Sequence, residues 1–209
     1  KICDNQGDIM EDTMNSSILK KLSFLLISFT LIAADQYSLQ FDGSDDYVQI
    51  PNNDAFIVGD HYTIEAWINS SSSSSLQSII QGWYGFGFQV YLTTSGNISL
   101  VLREPSGNGV GFPSTTNIAD GNWHHLAVTY GGSGHSSIKM YVDGTAQTLN
   151  VNLTGTVGTI TYGTNLAFGV KEATGSFSDK YDGELDDIGI WKRELTATEI
   201  NKLANNNGH

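Results

Sequence analysis

The sequence has almost no cysteine. Its one cysteine, Cys3, lies outside the part of the chain that carries strand and helix patterns. The chain therefore has neither a disulfide framework nor a zinc site built on thiolates. At 209 residues it has room for one ordinary domain and hardly for two, so one hydrophobic core is expected.

Basic residues are also few. The sequence contains 10 Lys and Arg against 22 Asp and Glu, which gives a formal net charge of −12 at pH 7. Such a surface repels a phosphate backbone and an anionic membrane, so nucleic acid is excluded as a partner class. The acidity is compatible with bound Ca²⁺, but solubility is the favoured explanation of it.

No apolar run reaches the length of about 20 residues that a transmembrane helix needs. The run from Leu22 to Ala34 follows Lys20 and Lys21 and ends in small side chains, which is the layout of a signal peptide. We therefore expect a signal peptide over residues 14–34 and a secreted or cell-surface protein whose domain occupies residues 35–209. A retained membrane anchor is the alternative.

The first residues do not fit this layout. Met14 is the natural start of the signal peptide, and the codons for Met10 to Met14 can hold a ribosome-binding sequence. Residues 1–13 are therefore interpreted as an untranslated or disordered leader, and the source as bacterial.

Proline is scarce and glycine is abundant, with 3 and 23 residues respectively. From Tyr37 onward apolar residues recur at every second position in short runs bounded by Gly, Asn, Asp and Ser, which predicts an all-β fold. Strands are predicted at residues 37–42, 47–50, 62–68, 76–82, 86–92, 98–103, 126–130, 138–142, 165–170 and 183–191. The turn Asp143-Gly144 predicts a hairpin between IKMYV and TAQTL.

A helical pattern is found at the C-terminal end. Thr196 and Glu199 match a capping box, and Ile200 and Leu203 form an apolar edge. Together they predict a short helix that packs on the β-structure. No internal repeat is visible, which argues against a propeller or a solenoid.

Five segments resemble, in the same order, the laminin G-like jelly-roll family of the concanavalin A-like superfamily. They are LQFDGSDDYVQIP (39–51), YTIEAWIN (62–69), GNWHHLAVTY (121–130), IKMYVDGT (138–145) and YDGELDDIGIWKRELTATEI (181–200). The resemblance implies an antiparallel β-sandwich, a concanavalin A-like jelly roll, with a short C-terminal helix.

The resemblance also implies a structural calcium site, because in this family the FDG turn and the acidic last strand often meet. Asp42, Asp45 and Asp186 are the matching carboxylates, and oxygen ligands suit Ca²⁺. Asp186 shares strand parity with Ile188 and Ile190, so we expect it to point inward, where a carboxylate needs a partner. The alternative is that Asp42 caps a turn and Asp186 accepts backbone hydrogen bonds.

Catalysis finds little support in the sequence. Glucanases of this superfamily carry an E-x-D-x-x-E pattern, which Glu184 and Asp186 begin, but Gly189 stands where the second glutamate is required. His124 and His125 are neighbours on a predicted strand, so their side chains point to opposite faces and cannot jointly bind one ion. We expect no enzyme activity and no catalytic residues, with glycoside hydrolysis as the less favoured alternative.

Aromatic residues and glycines are concentrated in the segment QGWYGFGFQVY at residues 81–91. Sugars bind to aromatic faces, while polar side chains hold their hydroxyls. The predicted ligand contacts are Trp83, Tyr84, Arg103 and Tyr162. The alternative is that the aromatic residues of this segment belong to the core.

Two functions follow from these observations. The first is a secreted, non-catalytic, lectin-like module for extracellular glycans or glycoproteins, with Ca²⁺ as a candidate stabilising ion. The second is an extracellular adhesion or surface-assembly protein that binds itself or other surface proteins, because folds of this type host many functions.

Overall fold

The computed structural model describes residues 37–50, 61–72, 74–83, 87–103, 109–132, 135–149, 166–173 and 175–206. The predicted leader (1–13) and signal peptide (14–34) lie outside the described residues. Within the described ranges, no helix has the length and apolar character needed to cross a membrane.

The described chain forms short strands followed by one helix. In chain order they are β1 (Leu39–Asp42), β2 (Val48–Ile50), β3 (Tyr62–Asn69), β4 (Gln77–Trp83), β5 (Gly87–Leu92), β6 (Asn97–Arg103), β7 (Gly109–Asn117), β8 (Trp123–Tyr130), β9 (Ile138–Val142), β10 (Thr145–Ala146), β11 (Leu166–Phe168), β12 (Lys171–Ala173), β13 (Ser176–Ser178), β14 (Asp182–Trp191) and α1 (Ala197–Asn206). A 3-10 turn at His135–Ser137 precedes β9. The all-β prediction with a C-terminal helix is confirmed.

Two six-stranded antiparallel sheets form a sandwich of the jelly-roll type. Sheet A has the order β1-β14-β3-β8-β9-β10, and sheet B has the order β2-β11-β4-β5-β6-β7. Strands β12 and β13 form a separate hairpin. Strands β4 to β7 follow one another in sheet B and β8 to β10 in sheet A, but β1, β3 and β14 join sheet A and β2 and β11 join sheet B from distant parts of the chain.

The core lies between the two sheets and follows the period-two pattern of the sequence. Ile64, Ala66 and Ile68 alternate along β3, and Leu100 and Leu102 alternate along β6; all belong to one apolar cluster. None of these side chains is more than 5% exposed. Burying an aliphatic side chain as large as leucine contributes about 1.5–3 kcal/mol, so this alternation drives the pairing of the sheets.

The predicted hairpin turn is confirmed. Asp143 and Gly144 have φ angles of 50° and 72°, as a two-residue turn of type I′ requires. They join β9 to β10, where Val142 pairs with Thr145.

The predicted capping box is also confirmed. The backbone N–H of Thr196 donates to Glu199 Oε2 at 2.8 Å, and the N–H of Glu199 donates to Thr196 Oγ1 at 3.3 Å. Ile200 is buried in a second apolar cluster with Ala127 and Tyr141. Helix α1 therefore packs on the outer face of sheet A.

The sequence pattern does not predict β7 or the β12–β13 hairpin. Two glycines and Pro113 interrupt the alternation of β7, but β7 is the edge strand of sheet B, where a missing backbone N–H is tolerated. Strands β12 and β13 have only three residues each, too few to show a period.

Candidate functional site

The outer face of sheet B carries a row of polar and small residues. The register aligns one residue from each strand, and directly opposed residues share a face of the sheet. We call this set the glutamine row; from β2 to β7 it consists of Gln49, Ala167, Gln81, Gln89, Val101 and Gly111. The outer face of sheet B thus carries amide side chains from strands that include distant parts of the chain.

The middle of the glutamine row is buried but incompletely hydrogen-bonded. Gln81 and Gln89 are 0% and 4% exposed. Neither Oε1 nor Nε2 of Gln81 has a hydrogen-bond partner among the described residues. A buried polar group without a partner costs about 1–3 kcal/mol, so a water or a ligand hydroxyl that met this amide would be bound favourably.

The strand register places two of the predicted ligand contacts in a second row of sheet B. Trp83 pairs with Gly87, which pairs on its other side with Arg103. Arg103 is exposed and pairs in turn with Gly109. A Cβ added at Gly109 would lie 3.4 Å from Arg103 Cγ, so the arginine stem packs over the glycine. The fold therefore brings Trp83 and Arg103 into one row.

The other two predicted ligand contacts, Tyr84 and Tyr162, lie outside the described residues. They stay predictions.

Three exposed aspartates cluster at the turn after β1. Asp42, Asp45 and Asp46 each place one carboxylate oxygen within 4.8 Å of the others. That span fits a shared Ca²⁺, since oxygens bound at about 2.4 Å lie at most about 4.8 Å apart. The turn also caps itself, as the N–H of Ser44 donates to Asp42 Oδ1 at 2.8 Å. Asp46 is a candidate ligand that the sequence analysis missed, although it adjoins Asp45.

Asp186 does not lie beside this cluster. In the β1–β14 ladder Asp42 pairs with Asp182, and Asp186 is further along β14 by about 13 Å at a rise of about 3.3 Å per residue. Asp186 instead lines a cavity of about 270 Å³ next to β1. The structure therefore brings Asp42 and Asp45 together but leaves Asp186 apart, and Asp182 is the β14 carboxylate nearest to them in register.

The expected inward orientation of Asp186 is wrong, because β14 contains a bulge. Asp186 pairs with Trp67, and the register shifts before Gly189. Asp187, inside the bulge, has a φ of 44°. Such a bulge inserts one residue and reverses the alternation of side chains. Before the bulge the inward residue is Leu185, which is 0% exposed.

Glu65 and His125 form a buried polar pair on the outer face of sheet A. Nε2 of His125 lies 2.8 Å from Oε2 of Glu65, with side chains 0% and 7% exposed. Trp191 Nε1 donates to the other oxygen of Glu65 at 3.3 Å. A side chain at Gly189 would overlap Glu65 Oε1, so a glutamate at this position of the glucanase pattern would have to displace the Glu65 carboxylate from its partners.

His124 points away from His125, as strand alternation predicts. Its Nδ1 lies 2.8 Å from Asp143 Oδ2 and its Nε2 lies 3.1 Å from Asp120 Oδ1. Partial burial lowers the pKa of His124, but hydrogen bonds and charges of the two aspartates outweigh it, so the pKa lies above its ordinary value. The imidazole thus links the loop before β8 to the β9–β10 turn.

An exposed aromatic pair beside β2 was also missed by the sequence analysis. The rings of Tyr47 and Phe177 stack with centroids 4.9 Å apart. Lys180 Nζ lies 5.3 Å and 5.5 Å from their centroids. We call Tyr47, Phe177 and Lys180 the aromatic platform. No sequence signal links these residues, because Phe177 lies in the hairpin that the pattern does not predict.

Comparison with known proteins agrees with this architecture. A family model described as the concanavalin A-like lectin/glucanases superfamily matches residues 42–201. No curated protein is similar enough in sequence to match the chain.

Solved structures share the fold at low identity. The binding domain of Paraclostridial Mosquitocidal Protein 1 has 13% identity and a TM-score of 0.65, over 82% of this chain and 44% of that one. The CBM40 of Ruminococcus gnavus IT-sialidase, bound to α2,3 sialyllactose, has 13% identity and a TM-score of 0.60, over 81% and 97%. Domain 4 of the extracellular arabinanase AbnA from Geobacillus stearothermophilus, in complex with arabinotriose, has 18% identity and a TM-score of 0.59, over 80% and 76%.

Proposed function

The chain belongs to the laminin G-like group of the concanavalin A-like lectin/glucanase superfamily, and from this membership we propose that it is a non-catalytic, glycan-binding module. The observation that carries the proposal is the outer face of sheet B. In this sheet the backbone pairings place Trp83 and Arg103 in one row, and the buried amide of Gln81 in the next row has no hydrogen-bond partner among the described residues.

This combination suits an oligosaccharide. A sugar presents an apolar C–H surface and many hydroxyls, so it needs an aromatic face together with donors and acceptors. Gly87 separates Trp83 from Arg103 in the strand register, and a position without a side chain lets a ligand approach the backbone. Two structural neighbours are bound to sialyllactose and to arabinotriose, which supports the same ligand class here.

A binding role is favoured over hydrolysis. Retaining glycosidases need two carboxyl groups about 5–5.5 Å apart. In this chain Gly189 replaces one of the glucanase carboxylates, and Glu65 fills the space beside it. The neighbours above are binding domains, although two of them are parts of enzymes.

Calcium and secretion complete the proposal. The carboxylates of Asp42, Asp45 and Asp46 would hold a Ca²⁺ ion that stabilises the turn after β1. The pattern of basic, apolar and small residues before residue 35 supports action outside the cell.

A glycan array read with and without Ca²⁺ tests the proposal. We expect binding to a discrete set of glycans that falls at least about tenfold in Trp83→Ala and in Arg103→Ala. Tyr37→Ala is the matched control, because Tyr37 is 81% exposed and lies beside sheet A. Arg103→Ala alters an exposed residue, so it keeps the test valid if Trp83→Ala does not fold.

The same experiment separates the adhesion alternative. Glycan binding that persists in both variants would remove sheet B as the site. Silence across the array, together with concentration-dependent self-association in sizing experiments, would instead favour a surface-assembly protein.

A further inference from the structure

The aromatic platform has two large rings at the surface. Tyr47 is 43% exposed and Phe177 is 41% exposed, and their planes differ by only 23°. A single exposed aromatic residue is ordinary on a protein surface. Two stacked rings from distant parts of the chain instead form a continuous apolar patch, which a single exposed aromatic residue does not.

The fold holds this patch in place beside sheet B. Gln49 belongs to the glutamine row, and Tyr47 lies two residues before it. Gln49 Nε2 donates to Glu172 Oε2 at 2.8 Å, and Glu172 pairs directly with Phe177 in the β12–β13 hairpin. The hairpin therefore contacts edge strand β2 through this hydrogen bond and the residue just before β2 through the ring stack, and the platform borders the outer face of sheet B.

Lys180 is the charged member of the platform. Its ammonium lies near both rings, and no described carboxylate lies within ion-pair distance of it. The nearby carboxylates have other partners: Glu172 accepts from Gln49, and Asp179 lies 3.4 Å from Lys171 Nζ. Among the described residues, a lysine without a carboxylate in ion-pair range is notable because the chain has a net charge of −12.

We propose that the aromatic platform is a subsite for an acidic sugar residue, one that carries a carboxylate or a sulfate group. The sugar ring would pack its C–H face on Tyr47 or Phe177, and its anionic group would pair with the Lys180 ammonium. This inference rests on the proposed function, because the subsite extends the glycan-binding face of sheet B past its β2 edge.

The net charge narrows the ligand further. A densely sulfated polymer would be repelled by the acidic surface. A single anionic group beside Lys180 acts at short range, while more distant charges are screened beyond a Debye length of about 8 Å at physiological salt. The subsite therefore fits isolated acidic sugars rather than a polyanion.

Calorimetric titration with three oligosaccharides of one backbone tests the inference. One is neutral, one carries a single uronic acid, and one carries a single sulfate. We expect an acidic form to bind about tenfold more tightly than the neutral form, as for one charge-assisted contact at a partly exposed site. A preference shown by the uronic acid alone, or by the sulfate alone, identifies the anionic group.

Variants assign the preference to the platform. Lys180→Gln should remove the preference for the acidic form and keep the affinity for the neutral form within about twofold. Lys180→Arg should retain the preference for the acidic form. Phe177→Ala should lower the affinity for every oligosaccharide that contacts the aromatic platform. Lys202→Gln is the matched control, because Lys202 is an exposed lysine on α1, which packs against the other sheet.

The outcomes distinguish this inference from the proposed function. Equal binding of neutral and acidic forms by the unaltered protein overturns the acidic subsite and leaves glycan binding intact. Equal effects of Lys180→Gln and Lys202→Gln also overturn it. Absence of binding to any glycan overturns both.

Discussion

Gln81 of β4 lies directly opposite Gln89 of β5, and both amides are buried on the outer face of sheet B. On a sheet face this position is usually either solvated or covered by apolar side chains. Here the amide of Gln81 has no hydrogen-bond partner among the described residues. A buried amide without a partner among the described residues therefore lies on the proposed binding face, and departures of this kind from full polar satisfaction are common at functional sites.

The first prediction follows from this buried amide. Gln81→Met removes an unsatisfied amide and keeps its length and volume, so we expect the free energy of unfolding to rise by about 1 kcal/mol or more. Glycan affinity should fall in the same variant, because the amide no longer meets a sugar hydroxyl or its bridging water. Urea unfolding and array binding measure the two effects.

Gln77→Met is the matched control for this substitution. Gln77 is also buried on β4, but its Nε2 donates to Ser72 O at 2.6 Å and its Oε1 accepts from Asp182 N at 2.9 Å. We expect Gln77→Met to lower stability by about 1–3 kcal/mol. If both variants are equally destabilising, the amide of Gln81 has a structural role and the ligand argument fails.

Calcium should stabilise the turn after β1. We expect millimolar Ca²⁺ to raise the melting temperature and a chelator to reverse the change, since a ligand at about 100 times its Kd adds about 2.7 kcal/mol. Asp46→Asn should abolish the shift, because Asp46 contributes a carboxylate to the cluster.

Asp186→Asn separates the cluster from the site implied by the family resemblance. Asp186 is remote from Asp42 in the β1–β14 ladder, so this variant should keep the full calcium response. A response that disappears in Asp186→Asn and persists in Asp46→Asn would refute the proposed ligand set.

His124 should make stability depend on pH. Its pKa in the fold lies above its ordinary value of 6.5 because of Asp143 and Asp120, so the protonated imidazole stabilises the fold below about pH 6.5. This contribution is lost as the pH rises through the folded-state pKa. The expected loss is less than about 1 kcal/mol, since both aspartates are about half exposed.

The variant His124→Gln isolates this effect. It retains hydrogen-bonding groups but does not titrate, so the decline in unfolding free energy above about pH 6.5 should disappear. Urea unfolding at several pH values measures it. An unchanged slope in His124→Gln would assign the pH dependence to other groups.

The Glu65–His125 pair should be important for stability. His125→Leu leaves the Glu65 carboxylate buried beside the Trp191 Nε1 donor, so we expect a loss of about 3–5 kcal/mol in unfolding free energy. The double variant Glu65→Leu/His125→Leu removes both polar groups and should recover a large part of that loss. A single-variant loss below about 1 kcal/mol would show that Glu65 finds solvent or another partner.

Most strands were predictable from the sequence because their signals are local. Alternation along β3 marks the face that joins the core between the sheets, Asp143-Gly144 has the backbone angles of its turn type, and the capping box of Thr196 and Glu199 spans only four residues of chain. Strand β7 was not predicted because Pro113 argues against a strand in the interior of a sheet. Proline is acceptable at a sheet edge, but the sequence does not show which strand will lie at the edge.

The candidate site was predictable only in part. The sequence predicts Trp83 and Arg103 as ligand contacts, and the strand register places them in one row through Gly87. Asp186 was assigned from strand parity, which the bulge at Asp187 reverses. A bulge depends on how two strands pack against each other, and period-two alternation alone contains no sign of it.

The sequence by itself determined the β-rich class, the main turns, the terminal helix and the acidic character of the surface, because each depends on near neighbours or on composition. The tertiary structure decided which residues meet: Tyr47 with Phe177, Glu65 with His125, and Gln81 with Gln89. Those meetings depend on sheet order and register, which arise when distant strands bury one shared core. A binding site requires contacts between side chains that are distant in sequence, so the candidate site could be described only from the tertiary structure.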